Sequence, residues 1–237
     1  KKYYKSAEKL RKKIDYDIDG VVFKVNTYLL QKKLGERSKS PRWAIAGKFK
    51  AEQGITKVLD IQISVGRTGA LTPVAKLDPI KVGGVIISNA TLHNQDEINK
   101  KDIRINDYVL IQRAGDVIPE ILKVIKEKRP SRSNQFFISK VCPICKSEAY
   151  KKNNNAVLRC RNSNCKAIIK GKIEHYVSKN CMDIVGLGTK IIDLLITNNL
   201  LSNISDIYKL KIKDLINLER MGQKSAENII NSINQSK

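Results

Sequence analysis

Between Tyr16 and Leu92 the apolar residues stand in short or alternating runs, VVFKV, WAIAGKF and LDIQISV, and a period of two predicts β-strands. In the third run Leu59, Ile61, Ile63 and Val65 would share one face. Gly66, Gly69, Gly83 and Gly84 punctuate the runs. Pro73 and Pro79 are expected at edges or turns, because proline has no N–H to give to a ladder. A further apolar run, YVLIQRAGDVIPEILKVI, turns about Ala-Gly-Asp. The segment KEKRPSRSNQ, residues 126–135, is polar, basic and interrupted by proline, and reads as a linker. From Ile168 onward the period becomes helical. Ile173, Tyr176, Val177 and Cys181 fall on one face, as do Ile191, Leu194 and Leu195, and then Ala226, Ile229, Ile230 and Ile233.

These periods predict a multidomain α+β chain. A barrel of OB type with its linker is expected over 51–138, a cysteine module over 139–167 and an α domain over 168–237, with separate strands over 1–50. The 237 residues are 41% apolar, enough to bury real cores. No run of 18 apolar residues is present and KKYYKSAEKL lacks the apolar centre of a signal peptide, so a soluble cytoplasmic protein is expected. The chain opens without Met in a charged, helix-like stretch, and further sequence is expected upstream.

Charge changes the picture. The net +22 is distributed as +10 over residues 1–50, +3 over 51–138, +7 over 139–170 and +2 over 171–237. A biased Lys-, Asn- and Ile-rich genome would spread the excess evenly; concentration on two segments points to a polyanionic partner, nucleic acid before membrane.

Four of the five cysteines stand in VCPICKSEAYKKNNNAVLRCRNSNC, as Cys142, Cys145, Cys160 and Cys165. A CxxC knuckle presents two thiolates to one ion, and a chain that folds back through its NNN turn supplies two more. Zinc is the expected occupant. The rival, a pair of disulfides, needs an oxidising compartment that nothing in the sequence indicates. Four protein ligands close the coordination sphere, so the ion's role would be structural. Cys181 is expected to be a buried core thiol. His93 and His175 are assigned to neither catalysis nor zinc.

Two stretches of the helical part share a shape, MDIVGLGTKIIDLL and NLERMGQKSAENII. Each sets a glycine-containing hairpin between helical patterns, Gly186 and Gly188 in the first and Gly222 in the second, followed by Lys190 or Lys224. Glycine lets the backbone approach a phosphate, and the next helix offers free N–H groups. The pair predicts helix-hairpin-helix binding of DNA independent of sequence. At the front, Lys24 and Lys48 sit in windows otherwise free of charge. Half-buried lysines on adjacent strands would call for a nucleotide phosphate. Asp19 suits a metal or a ribose, but alternation puts it opposite Lys24 unless the chain turns at Gly20.

The order DGVVFKVN, PRWAIAGKF, VGRTGALTPVA, SNATLHNQDEI, KDIRINDYVLIQRAGDVIPE, four cysteines and two glycine hairpins resembles bacterial NAD-dependent DNA ligase over essentially the whole chain. The resemblance implies that residues 1–50 are the end of an adenylation domain and its nucleotidyltransferase sheet. It also implies an enzyme using NAD+ and Mg²⁺ that seals nicked double-stranded DNA in replication and repair, as a nucleoid-associated monomer without membrane. By motif, Lys24 and Lys48 resemble the lysines beside the AMP phosphate and Asp19 the essential acid. Arg11 resembles a functional arginine of the same pocket. Arg67, Thr68, Arg113, Val117 and Ile118 resemble DNA-contacting positions around the nick.

The chain departs from the family at Gly47, where an aromatic is usual, at Lys50, where proline is usual, and at Arg220, which replaces the first glycine of the second hairpin. No KxDG nucleophile motif occurs, so the segment is expected to be a fragment that forms no enzyme-AMP by itself. A non-catalytic zinc and helix-hairpin-helix module from a decayed ligase gene is the alternative. A capping-type nucleotidyltransferase would leave the cysteines and hairpins unexplained. Strands orphaned from the rest of their domain are expected to have an imperfect core.

Overall fold

The computed structural model describes residues 2–11, 13–16, 18–113, 119–151, 155–219 and 221–237. Its first unit comprises α1 (Lys2–Leu10), β1 (Gly20–Lys24), α2 (Tyr28–Leu34), the short pair β2 (Glu36–Arg37) and β3 (Ser40–Pro41), and β4 (Ala44–Lys48). β1 and β4 pair antiparallel from Gly20↔Lys48 to Lys24↔Ala44. Tyr4 of α1 meets the buried Phe49 edge-on and donates its hydroxyl hydrogen to the Lys48 carbonyl at 2.6 Å. Two strands cover little, and Val22, Phe23 and Ile45 remain 58%, 41% and 71% exposed. The core here is imperfect, as expected.

Five strands then close a barrel in the order β5-β6-β7-β9-β8: β5 (Glu52–Val65), β6 (Leu71–Val82), β7 (Val85–Thr91), β8 (Tyr108–Arg113) and β9 (Glu120–Val124). Closure removes free edges, the main liability of short strands. α3 (Gln95–Lys101) lies between β7 and β8 in the chain, is capped by Asn94 accepting the Glu97 N–H, and sends Ile98 into the barrel core beside Val58, Ala75 and Ile111.

Three expectations are corrected in the barrel. Leu59 does not share the face of Ile61, Ile63 and Val65: it is 49% exposed while Val58 is fully buried. A bulge at Val58/Asp60 adds one residue and reverses the alternation. Pro73 and Pro79 lie inside β6, not at turns. The β6–β7 ladder starts only at Val74↔Thr91 and is irregular between Lys76 and Ile80, so neither proline sits in a regular stretch of that ladder. The linker of residues 126–135 is anchored. Arg129 donates to Asp107 and Asp102, while Gln95 bonds the Phe136 carbonyl and the Ile138 N–H just beyond it.

A hairpin of β10 (Ala149–Lys151) and β11 (Leu158–Cys160) leads into α4 (Lys166–Val177), whose N-cap is Cys165. α4 runs through the 167/168 position, so the cysteine module and the helical part share a helix. α5 (Thr189–Thr197), a 3-10 turn (Ile204–Lys209), α6 (Ile212–Ile216) and α7 (Gln223–Gln235) complete the chain around a core of Ile173, Ile192, Leu195, Ile207, Leu215 and Ile229. Cys181 is exposed, not buried. α4 stops at Val177, so Cys181 falls in the following turn, where its Sγ lies 3.7 Å from His175 Nδ1. No helix among the described residues is long and apolar enough to cross a membrane.

Candidate functional site

In β1 and β4 cross-strand partners share a face, so Lys24, Val22, Ala46 and Lys48 point the same way. Four residues separate the level of Lys24 from that of Lys48, a span of ~13 Å along the strand. Asp19 immediately precedes β1, and its carboxylate reaches Lys48 Nζ at 3.3 Å. The turn at Gly20 expected to bring Asp19 to the Lys24 face is not present: Gly20 lies in β1 opposite Lys48, and the Asp19 carbonyl accepts the Phe49 N–H at 2.8 Å. The expectation of half-buried lysines is not met: Lys24 is exposed, and the Lys48 and Asp19 side chains are 62% and 57% exposed. Among the described residues no layer covers that face of the sheet. An ion pair in such a position contributes about 0–1 kcal/mol, so it leaves both groups available to another partner.

Lys24 Nζ stands 5.9 Å from the centre of the Trp43 ring. Arg11 is engaged elsewhere, 3.6 Å from Glu52 and 6.0 Å from the centre of the Phe49 ring. Gly47 is not bordered by empty space. A Cβ there would lie 3.4 Å from the Tyr4 and Phe23 rings, so Tyr4 fills the room that an aromatic at this position would need. Lys50 is exposed.

The four cysteines converge. Their sulfurs lie within 4.8 Å of one another, with Cys145 and Cys160 at 3.4 Å and Cys142 and Cys165 at 4.0 Å. A tetrahedron with Zn–S bonds of about 2.3 Å has edges of about 3.8 Å, so the cluster fits zinc closely. Lys146, with φ +59°, turns the knuckle, and the Cys142 N–H bonds the Ser147 carbonyl at 2.8 Å. The hydroxyl of Ser147 lowers the Cys145 thiol to about 6, whereas burial pushes Cys160 up to about 12. A bound cation would override that difference, because a coordinated thiol is deprotonated outright.

Arg67 and Thr68 are exposed in the turn between β5 and β6, and this turn packs against the cysteine module. Arg159 donates to the Thr68 carbonyl at 3.1 Å and to its hydroxyl at 2.6 Å. Sequence reasoning missed Arg159 and Gly171, whose contacts with the turn depend on docking across modules and leave no local periodicity. Arg113 donates to the Gly83 carbonyl at 3.1 Å, and Val117 and Ile118 lie outside the described residues. A groove of about 990 Å³ opens where Arg67, Ile144, α4 and α5 meet, with His175 on its wall; it is not at Asp19 and Lys48. His93 stands in the loop before α3 with φ +60°.

In the helical part Gly186 and Gly188 differ in what they do. Gly186 has φ +97°, and a Cβ there would lie 2.7 Å from Ile229 of α7. It is a packing glycine, joined to α7 also by the Val185 N–H to Ser232 Oγ bond at 2.8 Å. Gly188 and Gly222 are N-caps of α5 and α7 with φ −75° and −85°, and a Cβ at either would meet nothing. Lys190 and Lys224 are exposed two residues beyond these caps, and Arg220 lies outside the described residues.

Comparison with known proteins follows the same order along the chain. The profile of the NAD-dependent DNA ligase adenylation domain matches residues 1–52, and that of the NAD-dependent DNA ligase OB-fold domain matches residues 55–133. A DNA ligase of Bdellovibrio bacteriovorus is 53% identical over 100% of this chain and 35% of its own length. One of Nitrosococcus oceani is 52% identical over the same shares, and one of Thermoanaerobacter sp. is 50% identical over 96% of this chain and 34% of its own. The chain thus spans about a third of the length of these relatives.

Proposed function

The chain belongs to the NAD-dependent DNA ligase family, and we propose that it supplies nucleotide-phosphate contacts and a duplex-binding surface for sealing nicks in DNA. The overall reaction is three phosphoryl transfers. A lysine of a KxDG motif, which this chain lacks, attacks NAD+ and keeps AMP as nicotinamide mononucleotide leaves. AMP then passes to the 5′-phosphate of a nick, and the 3′-hydroxyl displaces it as the strand is joined. Such transfers depend on positioning and on neutralising phosphate charge.

Lys24 and Lys48 present two ammonium groups on one open face, and Asp19 is held against Lys48 at 3.3 Å. This acid–lysine contact, made by the lysine that shares a face with Lys24, is the observation that carries the nucleotide reading. Mg²⁺, when bound, would neutralise phosphate oxygens, and Asp19 would be the carboxylate to hold it. Arg11, 6.0 Å from the centre of the Phe49 ring next to Lys48, is the arginine of the same nucleotide pocket. The cysteine module, with zinc held by Cys142, Cys145, Cys160 and Cys165, joins the barrel to the helices. Arg67, Thr68 and Arg113 meet the duplex from the barrel; Val117 and Ile118, assigned to the same contact by motif, lie outside the described residues.

The helical part contributes two helix-hairpin-helix units. Nothing inside the chain requires glycine at 188 or 222, where φ is ordinary and the space is open, whereas a phosphate approaching the helix N-terminus does. Lys190 and Lys224 add positive potential there. The setting is a monomer acting on nicked chromosomal DNA in the bacterial cytoplasm, in replication and repair.

The test joins this chain downstream of a KxDG-bearing adenylation segment and assays sealing of a nicked duplex with NAD+. Lys48→Ala is expected to slow sealing by about a hundredfold or more, the usual effect of removing one group that stabilises transition-state charge. Sealing at the parent rate would overturn the reading.

A further inference from the structure

We infer that Arg159 and Gly171 are positioning residues: they hold the turn that presents Arg67, and so couple the cysteine module to the duplex-binding face of the barrel. This rests on the proposed contact of Arg67 with DNA. The turn is gripped from two sides. On one, the Cys160 N–H donates to the Gly69 carbonyl at 2.8 Å, and Arg159 reaches both the carbonyl and the hydroxyl of Thr68. On the other, α4 presses against the turn so closely that a Cβ at Gly171 would lie 2.9 Å from both Cα and Cβ of Arg67.

A glycine within a helix is unfavourable by itself and implies a close neighbour. Here the neighbour is backbone, which cannot swing aside. Both grips issue from the cysteine cluster, because Arg159 immediately precedes Cys160 and Cys165 caps the helix that carries Gly171. Arg67 makes no ion pair or hydrogen bond through its guanidinium among the described residues, so the grips fix the backbone and leave the side chain for an outside anion.

The experiment measures binding of a nicked duplex by this chain across a salt series, with zinc content and thermal midpoint determined for every variant. Arg67→Ala should weaken binding and lower the slope of log affinity against log salt by about 1, as for one lost phosphate contact. Arg159→Ala and Gly171→Ala should each give a similar loss while keeping the metal. The Arg67→Ala/Arg159→Ala double variant should bind no more weakly than Arg67→Ala alone, because a group that acts through another adds nothing once the other is gone. Arg159→Lys, able to reach one oxygen of Thr68, should fall between. Additive losses, or Arg159→Ala and Gly171→Ala at parent affinity, would overturn the inference while leaving the Arg67 contact standing. Arg67→Ala at parent affinity would overturn both. If Arg159→Ala loses the metal, Gly171→Ala decides: reduced affinity and slope support the inference, and parent values reject it.

Discussion

The guanidinium of Arg129 donates to both carboxylate oxygens of Asp107, each at 2.8 Å, and Asp107 is fully buried. The same guanidinium reaches Asp102 at 2.6 Å, which ties residue 129 to both ends of the loop between α3 and β8. A buried carboxylate stripped of its partner is costly. Arg129→Ala is therefore expected to lower stability by about 3–5 kcal/mol, the usual effect of breaking a buried pair by removing one side. Urea unfolding of the two proteins measures it, and a change under 1 kcal/mol would show that the pair does not hold the barrel.

Asp102 gives this cluster a pH signature. The hydrogen bond from Arg129 holds its carboxyl below the usual carboxylate range, with Arg104 adding to the effect and burial opposing it. A carboxyl lowered on folding stabilises fully above its unfolded value, about 3.9, and loses that contribution as pH falls through the folded value. Stability should therefore drop below about pH 4. Arg129→Ala should show a shallower drop over that range; an unchanged acid limb would detach the effect from Arg129.

Zinc binding has a sign that can be checked. Burial keeps the Cys160 thiol protonated at neutral pH, having pushed it up to about 12, and a metal-bound thiol must be deprotonated. Zinc loading should release protons, and affinity should rise with pH. Native mass spectrometry should find one zinc per chain, and titration calorimetry in buffers of different ionisation enthalpy should count the protons. A chain without metal, or uptake independent of buffer, would end the zinc reading.

What was legible in the sequence was local. The spacing of Cys142, Cys145, Cys160 and Cys165 announced a convergence that the folded chain confirms at 4.8 Å or less, because one short hairpin brings them together. The strand runs and the late helices were legible through their periods. Leu59 leaves the face that its spacing predicts because a bulge is a property of two paired strands, and one strand's alternation does not contain it. Arg129 looked like solvated linker because its partners, Asp102 and Asp107, are some 25 residues away. The helical period, continued past Val177, puts Cys181 on an apolar face, but the helix stops at Val177. Strand pattern alone suggests half-buried lysines, yet burial depends on a covering layer, and among the described residues none lies over the face bearing Lys24 and Lys48.

The two hairpin glycines should separate from Gly186. Gly188→Ala and Gly222→Ala meet open space at ordinary φ, so stability should change by no more than about 0.5 kcal/mol, as for surface substitutions generally. Binding of nicked duplex should nevertheless weaken, because the methyl group keeps a phosphate from the helix N-terminus. Gly186→Ala would collide with Ile229 at positive φ and should destabilise the helical core. Thermal unfolding alongside binding distinguishes the two classes. Equal binding by Gly188→Ala, Gly222→Ala and the parent would remove these hairpins from the DNA interface.

The last prediction concerns the nucleotide. Lys24 and Lys48 are exposed, and no KxDG motif occurs in the chain. A lysine nucleophile needs a lowered pKa or a neighbouring base to be reactive at neutral pH. Lys48 is instead open to solvent and ion-paired with Asp19 at 3.3 Å. Incubation with NAD+ and Mg²⁺ should therefore leave the chain's mass unchanged. Joined to a KxDG segment, the protein should gain one AMP on the KxDG lysine, and Lys48→Ala should slow that gain. An AMP adduct on the unjoined chain, mapped by peptide mass spectrometry to Lys24 or Lys48, would mean that these lysines act as nucleophiles and not as phosphate contacts.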